Sequence, residues 1–251
     1  MKISTCFIML LATLIVAKLE SHGSMYKFEG ILGSPSEIIE NQNGFAPFFL
    51  PYNPTVIDIG SYEGAGTVAL AKAYPYGKIF SFEPNPKSFA VLQENVKAYK
   101  NIFPVNVAVN SVSGQATLYL HRENYNDHLV EHLSSLLPMV SDTDNASIIV
   151  SCVTLDGWCE KNHIDHVDFL RVDAGGLELS ILENSPKVLK KAIVIVVKTH
   201  FRQSREHEAL YPDVKQFLEK NDFEMLAHWY YEGLQGEATF VRKAYYESIF
   251  R

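Results

Sequence analysis

Short apolar runs alternate along this chain with longer stretches whose apolar residues recur three and four positions apart. "TVIDIG" (Thr55–Gly60) reads as a strand ending at a glycine turn, and "GTVALAKAYP" after it as a helix closed by Pro75 and Gly77. "KIFSFE" is a second strand, followed by a helix over "NPKSFAVLQENVKAYKN". In that helix Phe89, Leu92, Val96 and Tyr99 share one face, Asn85 is a natural cap, and Pro86 suits the first turn. "FPVNVAV" reads as a third strand and the alternating "GQATLYLH" as an additional one. Residues 122–147 are polar and irregular, a loop or lid. "SIIVSCVTL" (strand), "DGWCEKNHI" (short helix), "VDFLRVD" (strand) and "LELSILENSPKVLKK" (helix) follow. "AIVIVVKTH" is almost wholly β-branched, the pattern of a central strand buried on both faces. After a helix over "EALYPDVKQFLEKND", the segments "FEMLAHWYY" and "EATFVRK", joined by "EGLQG", form a terminal antiparallel hairpin.

Strands alternating with helices predict an α/β domain with a mostly parallel sheet covered on both faces. On such sheets ligands bind beyond the carboxyl ends of the strands, near the switch in strand order. The residues that close each strand are therefore the ones to inspect. Asp58 closes the first, and Gly60 and Gly64 make the turn after it, in the spacing D-x-G-x-x-x-G. That is neither the G-x-G-x-x-G of dinucleotide sites nor a phosphate-binding loop, because no Lys-Ser/Thr pair follows. Glu83 closes the second strand, where a carboxylate can accept hydrogen bonds from ribose hydroxyls. Asn106, within the third strand segment, is a candidate for an adenine edge or a plain surface residue.

Composition narrows the partners. Of 251 residues, 47% are hydrophobic and 20% charged, with a formal net charge of −7. Nothing resembles the basic stripe of a nucleic-acid binder, so no nucleic-acid partner is expected. No metal site is expected either. The opening "MKISTCFIMLLATLIVAKLESHGS" has a lysine, an apolar run from Ile3 to Ala17, then small and polar residues, the order of a secretory signal. Residues 1–23 are read as a signal peptide or signal anchor, with possible membrane association through the apolar run, and 24–251 as a single domain. The expected location is the secretory pathway, membrane-anchored or secreted. Asn145 lies in a glycosylation sequon. Beyond the signal, Cys152 and Cys159 either pair or stay as two buried thiols.

The segments "VIDIGSYEG", "FSFEPNP", "VNVAV", "SCVTLDGW" and "DFLRVDAGGLELSIL" occur in the order and spacing of the FkbM-type S-adenosylmethionine-dependent methyltransferases, which this chain resembles over roughly residues 54–241. The resemblance implies the class I methyltransferase sheet, Rossmann-like and mostly parallel with a reversed terminal hairpin. It implies S-adenosyl-L-methionine as cofactor and O-methylation of a small-molecule or glycan hydroxyl. By position, Asp58, Gly60, Ser61 and Gly64 would cradle the methionine part. Glu83 would hold the ribose, Asn106 would lie near the adenine, and Pro84 would also belong to the cofactor site.

The chain departs from the family pattern at three points. Gly175 stands where a glutamate is usual, Lys198 where a carboxylate follows the β-branched run, and Tyr62 where an asparagine is common. Asp173 keeps its acid and is the candidate catalytic group. His200 is a candidate base or a satisfied strand-end histidine, and Arg171 orients a polar or anionic acceptor or pairs with a neighbouring acid. A lysine beside a cationic sulfonium opposes it unless screened. Two main readings stand: an active O-methyltransferase, or a methyltransferase fold that binds without turnover. Nucleotide-sugar or dinucleotide binding, a third reading, fits Glu83 but not the glycine spacing.

Overall fold

The computed structural model describes residues 28–31, 49–120, 123–125, 128–130, 134–140, 146–230 and 235–250. Residues 1–23, Asn145 and much of the 122–147 stretch lie outside these.

A first strand, β1 (Phe28–Ile31), precedes the expected β2 (Thr55–Ile59), helix α1 (Ala65–Ala73), β3 (Lys78–Phe82) and α2 (Pro86–Val96). The anticipated third strand is split into β4 (Ile102–Val105) and β5 (Ala108–Val109), which join different sheets. Next come β6 (Gly114–Leu120), a small pair β7 (Glu123–Tyr125) and β8 (His128–Val130), then β9 (Ala146–Val153), α3 (Leu155–Lys161) and β10 (Phe169–Val172). The helix expected over "LELSILENSPKVLKK" is two, α4 (Glu178–Glu183) and α5 (Pro186–Lys191). Pro186 has no N–H to continue the first and instead opens the second. β11 (Val194–His200), α6 (Tyr211–Lys220), β12 (Phe223–Tyr230), β13 (Gln235–Arg242) and α7 (Lys243–Phe250) complete the chain.

The main sheet has eight strands in the order β1-β12-β13-β11-β10-β2-β3-β4. Only β13 is reversed, inserted between β12 and β11. Seven of these strands make the class I methyltransferase sheet with its antiparallel C-terminal hairpin, and β1 adds an edge strand beside β12. β5, β9 and β6 form a separate small sheet.

The period of two along each strand sorts side chains to two cores. Ile57, Leu170, Ile195 and Val197 face α3 to α6, whereas Val56, Phe169, Val194 and Val196 face α1, α2 and α7. The same alternation puts Asp58, Arg171 and Lys198 on the second face, because each sits two residues beyond one of its members. In α2, Asn85 accepts a hydrogen bond from the Lys87 N–H at 3.0 Å, and Leu92 and Val96 are buried.

The switch in strand order falls between β2 and β10, whose following connections run to opposite faces. At the carboxyl ends of β3, β2, β10 and β11 a crevice of about 520 Å3 opens, within the range of small-molecule sites.

Candidate functional site

The β2–α1 turn is shaped by backbone rather than side chains. Gly60 takes φ +80° and its N–H donates to the Phe82 carbonyl at 3.0 Å. A Cβ there would sit 1.8 Å from the Asp173 carbonyl oxygen, so only glycine lets the β2 and β10 ends approach this closely. Gly64, at φ +90°, caps α1, and a Cβ on it would press within 2.5 Å of Leu92. Tyr62 adopts φ +50° in the same turn and its N–H donates to Glu83 Oε2 at 2.9 Å. Ser61 is buried beneath, its hydroxyl donating to the Asp58 and Phe82 carbonyls.

Glu83 stands at the end of β3 and lines the crevice, 7% exposed. Its second oxygen accepts from the Asn85 N–H at 2.8 Å. Burial pushes its carboxyl up to about 7, against the lowering effect of the two backbone donors. Each oxygen keeps acceptor capacity toward the crevice. Pro84, Val107 and Val109 supply apolar wall beside it.

The other end is built of ions. Arg171 on β10 lies opposite Asp58 on β2, and its Nη1 is 3.1 Å from Asp58 Oδ1. Its Nη2 is 3.0 Å from Glu237 Oε1, on reversed strand β13, and 3.6 Å from Asp173 Oδ2. Burial works against the guanidinium charge, yet the Glu237, Asp58 and Asp173 carboxylates raise its pKa well above the usual value. Thr67 of α1 donates to the remaining Asp58 oxygen at 2.6 Å. Lys198 Nζ is 3.1 Å from Asp173 Oδ1. Although burial favours the neutral acid, Lys198 and Arg171 hold the Asp173 carboxyl below its ordinary value.

Of the residues singled out from sequence, Gly60, Ser61, Gly64, Glu83, Pro84, Arg171 and Asp173 line the crevice, and so does Lys198. Three others are placed elsewhere. The Asp58 carboxylate is fully buried under the turn and spent on Thr67 and Arg171. Asn106 is exposed, and its amide donates to the Glu83 and Pro84 carbonyls, bracing their loop. His200 lies behind the crevice wall, 2% exposed, with Nδ1 3.0 Å from Glu208 Oε1 and Nε2 3.9 Å from Glu178 Oε2. Gly175, at φ +60°, lies under a strap at 134–140, and its carbonyl accepts from the Ser135 hydroxyl at 2.7 Å. That strap pairs Ser135 with Tyr119 of β6 and Met139 with Arg205. Cys152 and Cys159 are buried free thiols.

Sequence reasoning missed Glu237. The signal was a carboxylate opening an apolar strand; the antiparallel pairing of β13 with β11 sets it directly across from Lys198. Among the described residues no helix is long and apolar enough to cross a membrane.

The Methyltransferase FkbM domain model matches residues 58–225. The 2-O-methyltransferase NoeI of Sinorhizobium fredii is 24% identical over 55% of this chain and 60% of its own length. Methyltransferase sdnD of Sordaria araneosa is 22% identical over 70% of this chain and 76% of its own. Methyltransferase 1 of Beauveria bassiana is 24% identical, and the match spans 59% of that protein. A methyltransferase FkbM from Methylobacillus flagellatus, known from a crystal structure, superposes with a TM-score of 0.49 and 11% identity over 84% of this chain and 56% of that one.

Proposed function

Because the chain belongs to the FkbM methyltransferase family, we propose that it is an S-adenosylmethionine-dependent O-methyltransferase acting on a hydroxyl of a small molecule or glycan. The observation that carries this is Glu83, a crevice-facing buried carboxylate set against the Gly60 turn, where it can accept from vicinal ribose hydroxyls.

The residues present fit that cofactor. The glycine turn admits close backbone approach, the wall beside Glu83 is apolar, and the ion cluster is not cationic overall. In that cluster three carboxylates, Asp58, Asp173 and Glu237, meet two cations, Arg171 and Lys198, leaving one negative charge in excess. Glu237 thus offsets the lysine at 198 from the neighbouring strand. When bound, the cofactor supplies an electrophilic methyl group on a sulfonium.

The chain's own contribution is alignment and charge. Holding an acceptor oxygen in line with a methyl group removes several kcal/mol, on the order of 7, of entropic barrier in well-oriented cases. Asp173, kept ionised by Lys198 and Arg171, is a weak base and serves better as a hydrogen-bond acceptor that orients a hydroxyl. His200, committed to Glu208 behind the wall, does not face the crevice.

The second reading, binding without turnover, is favoured by one feature: the Lys198–Asp173 pair, which ties up the acid nearest the strand-end gap. Methyl transfer from labelled S-adenosylmethionine to hydroxylated sugars and small molecules, catalysed by the full chain, separates the two. Transfer supports the enzyme; saturable binding with no transfer to any acceptor supports the second reading. We also propose that residues 1–23 deliver the domain to the secretory pathway or anchor it there. Endoglycosidase-sensitive mass on Asn145, lost in Asn145→Gln, is the expected result; an unglycosylated chain that added protease digests only once the plasma membrane is permeabilised, with internal membranes left closed, contradicts it.

A further inference from the structure

We propose that the β11 end of the crevice is an oxyanion subsite, where Lys198, with Gln235 beside it, receives a carboxylate, phosphate or sulfate group carried by the acceptor. The inference rests on reading the crevice as a methyl-transfer site and names the substrate class of that site.

Lys198 closes a strand buried on both faces, and its side chain, 15% exposed, looks into the crevice. An ammonium has three donors. Among the described residues its one partner is Asp173, which it shares with Arg171. Two of its donors therefore have no partner among the described residues, in a largely desolvated setting at the crevice wall where unpaired polar groups are costly.

The carboxylates of the ion cluster outnumber its cations, but on the crevice side only Asp173 meets Lys198. Asp58 and Glu237 are turned under the sheet end, 0% and 2% exposed, and neither lines the crevice. What does line this end is cationic or neutral: Lys198, Gln235, Ser134, Ser135 and Arg205, against Asp173 alone. Arg205, also in the lining, is paired with Glu208 at 3.6 Å, so Lys198 is the cation on which this end depends.

Position separates this end from the adenosyl end. β11 lies three strands from β3 in the sheet, about 14 Å at ordinary strand spacing. An anion at Lys198 and a ribose at Glu83 therefore occupy different ground. Neutral hydroxyls can accept from these donors only as ordinary hydrogen-bond acceptors, whereas an oxyanion matches both with stronger, charge-assisted hydrogen bonds.

The test titrates the full chain with acetate, phosphate and sulfate, followed by NMR, in the presence and absence of saturating S-adenosylhomocysteine. Saturable binding of at least one oxyanion in both conditions is expected, and which one binds distinguishes the carboxylate from the phosphate and sulfate sources. Lys198→Gln should weaken that binding at least ten-fold while changing S-adenosylhomocysteine affinity less than two-fold. Gln235→Ala, a milder change, should weaken it by a smaller factor and serves if Lys198→Gln fails to fold. Undiminished anion binding in the folded variants overturns the subsite. So does loss of anion binding once S-adenosylhomocysteine is bound, which would mean that Lys198 serves the cofactor's own carboxylate. If S-adenosylhomocysteine does not bind at all, the methyl-transfer reading fails, and the titrations without it still decide the subsite.

Discussion

At the β3 end of the crevice the groups facing a ligand come from two adjacent loops: a turn whose glycines hold φ near +80° to +90°, and one carboxylate braced by backbone N–H groups. The β11 end is built of side-chain ions assembled from β2, β10, β11 and β13, far apart in sequence, of which Arg171, Asp173 and Lys198 face the crevice. The first end is fixed by local conformation and tolerates no change of shape. The second is fixed by charge balance, so that one substitution, such as a lysine at 198, can be offset by a carboxylate on another strand.

That contrast can be broken most forcefully at Arg171. Arg171→Leu leaves Asp58 and Glu237 buried without their cation and should destabilise the fold by about 3–5 kcal/mol, read as a shift in denaturant midpoint. A loss below about 1 kcal/mol would show that the cluster is not held by charge balance. Gly175→Glu, which restores the family's usual acid, should instead destabilise by about 1–2 kcal/mol, because a side chain at φ +60° is strained. Its Cβ would also press within 3.0 Å of Ser135. Unchanged stability would mean that the strap yields freely.

A smaller effect sharpens the other end. The folded-state carboxyl of Glu83 is raised from its ordinary 4.5 to about 7, so the fold favours the protonated acid. Its stabilising contribution is present in acid and is lost as pH rises through about 7. Between pH 6 and 8 the wild type should therefore lose about 1 kcal/mol more than Glu83→Gln, as measured by chemical denaturation across pH. Parallel pH profiles for the two proteins would place Glu83 in water rather than in the crevice wall.

The same contrast explains what was legible in the sequence. Gly60, Gly64 and Glu83 announce themselves because a tight turn and a strand-end acid are local patterns. The order of strands and helices follows from periodicity, and the cap at Asn85 from residue type. The split of "FPVNVAV" was hidden, since both halves are apolar and only pairing assigns them to separate sheets. The break at Pro186 had a visible cause but was outweighed by the helical spacing around it. Asp58 shows the limit most plainly: its position at the strand end was readable, but its direction, down toward Thr67 and Arg171, depends on a neighbouring strand more than a hundred positions away. Glu237 was obscured for the same reason, because only the pairing of β13 with β11 brings it opposite Lys198.

The claim on which the rest depends is that Glu83 holds the sugar of an adenosyl cofactor. Calorimetric titration of the full chain with S-adenosylmethionine, wild type against Glu83→Ala, tests it most directly. Saturable heat in the wild type, weakened by about 1–3 kcal/mol in the variant, is the predicted result. Equal affinity in both proteins, or no binding by a folded wild type, would contradict it.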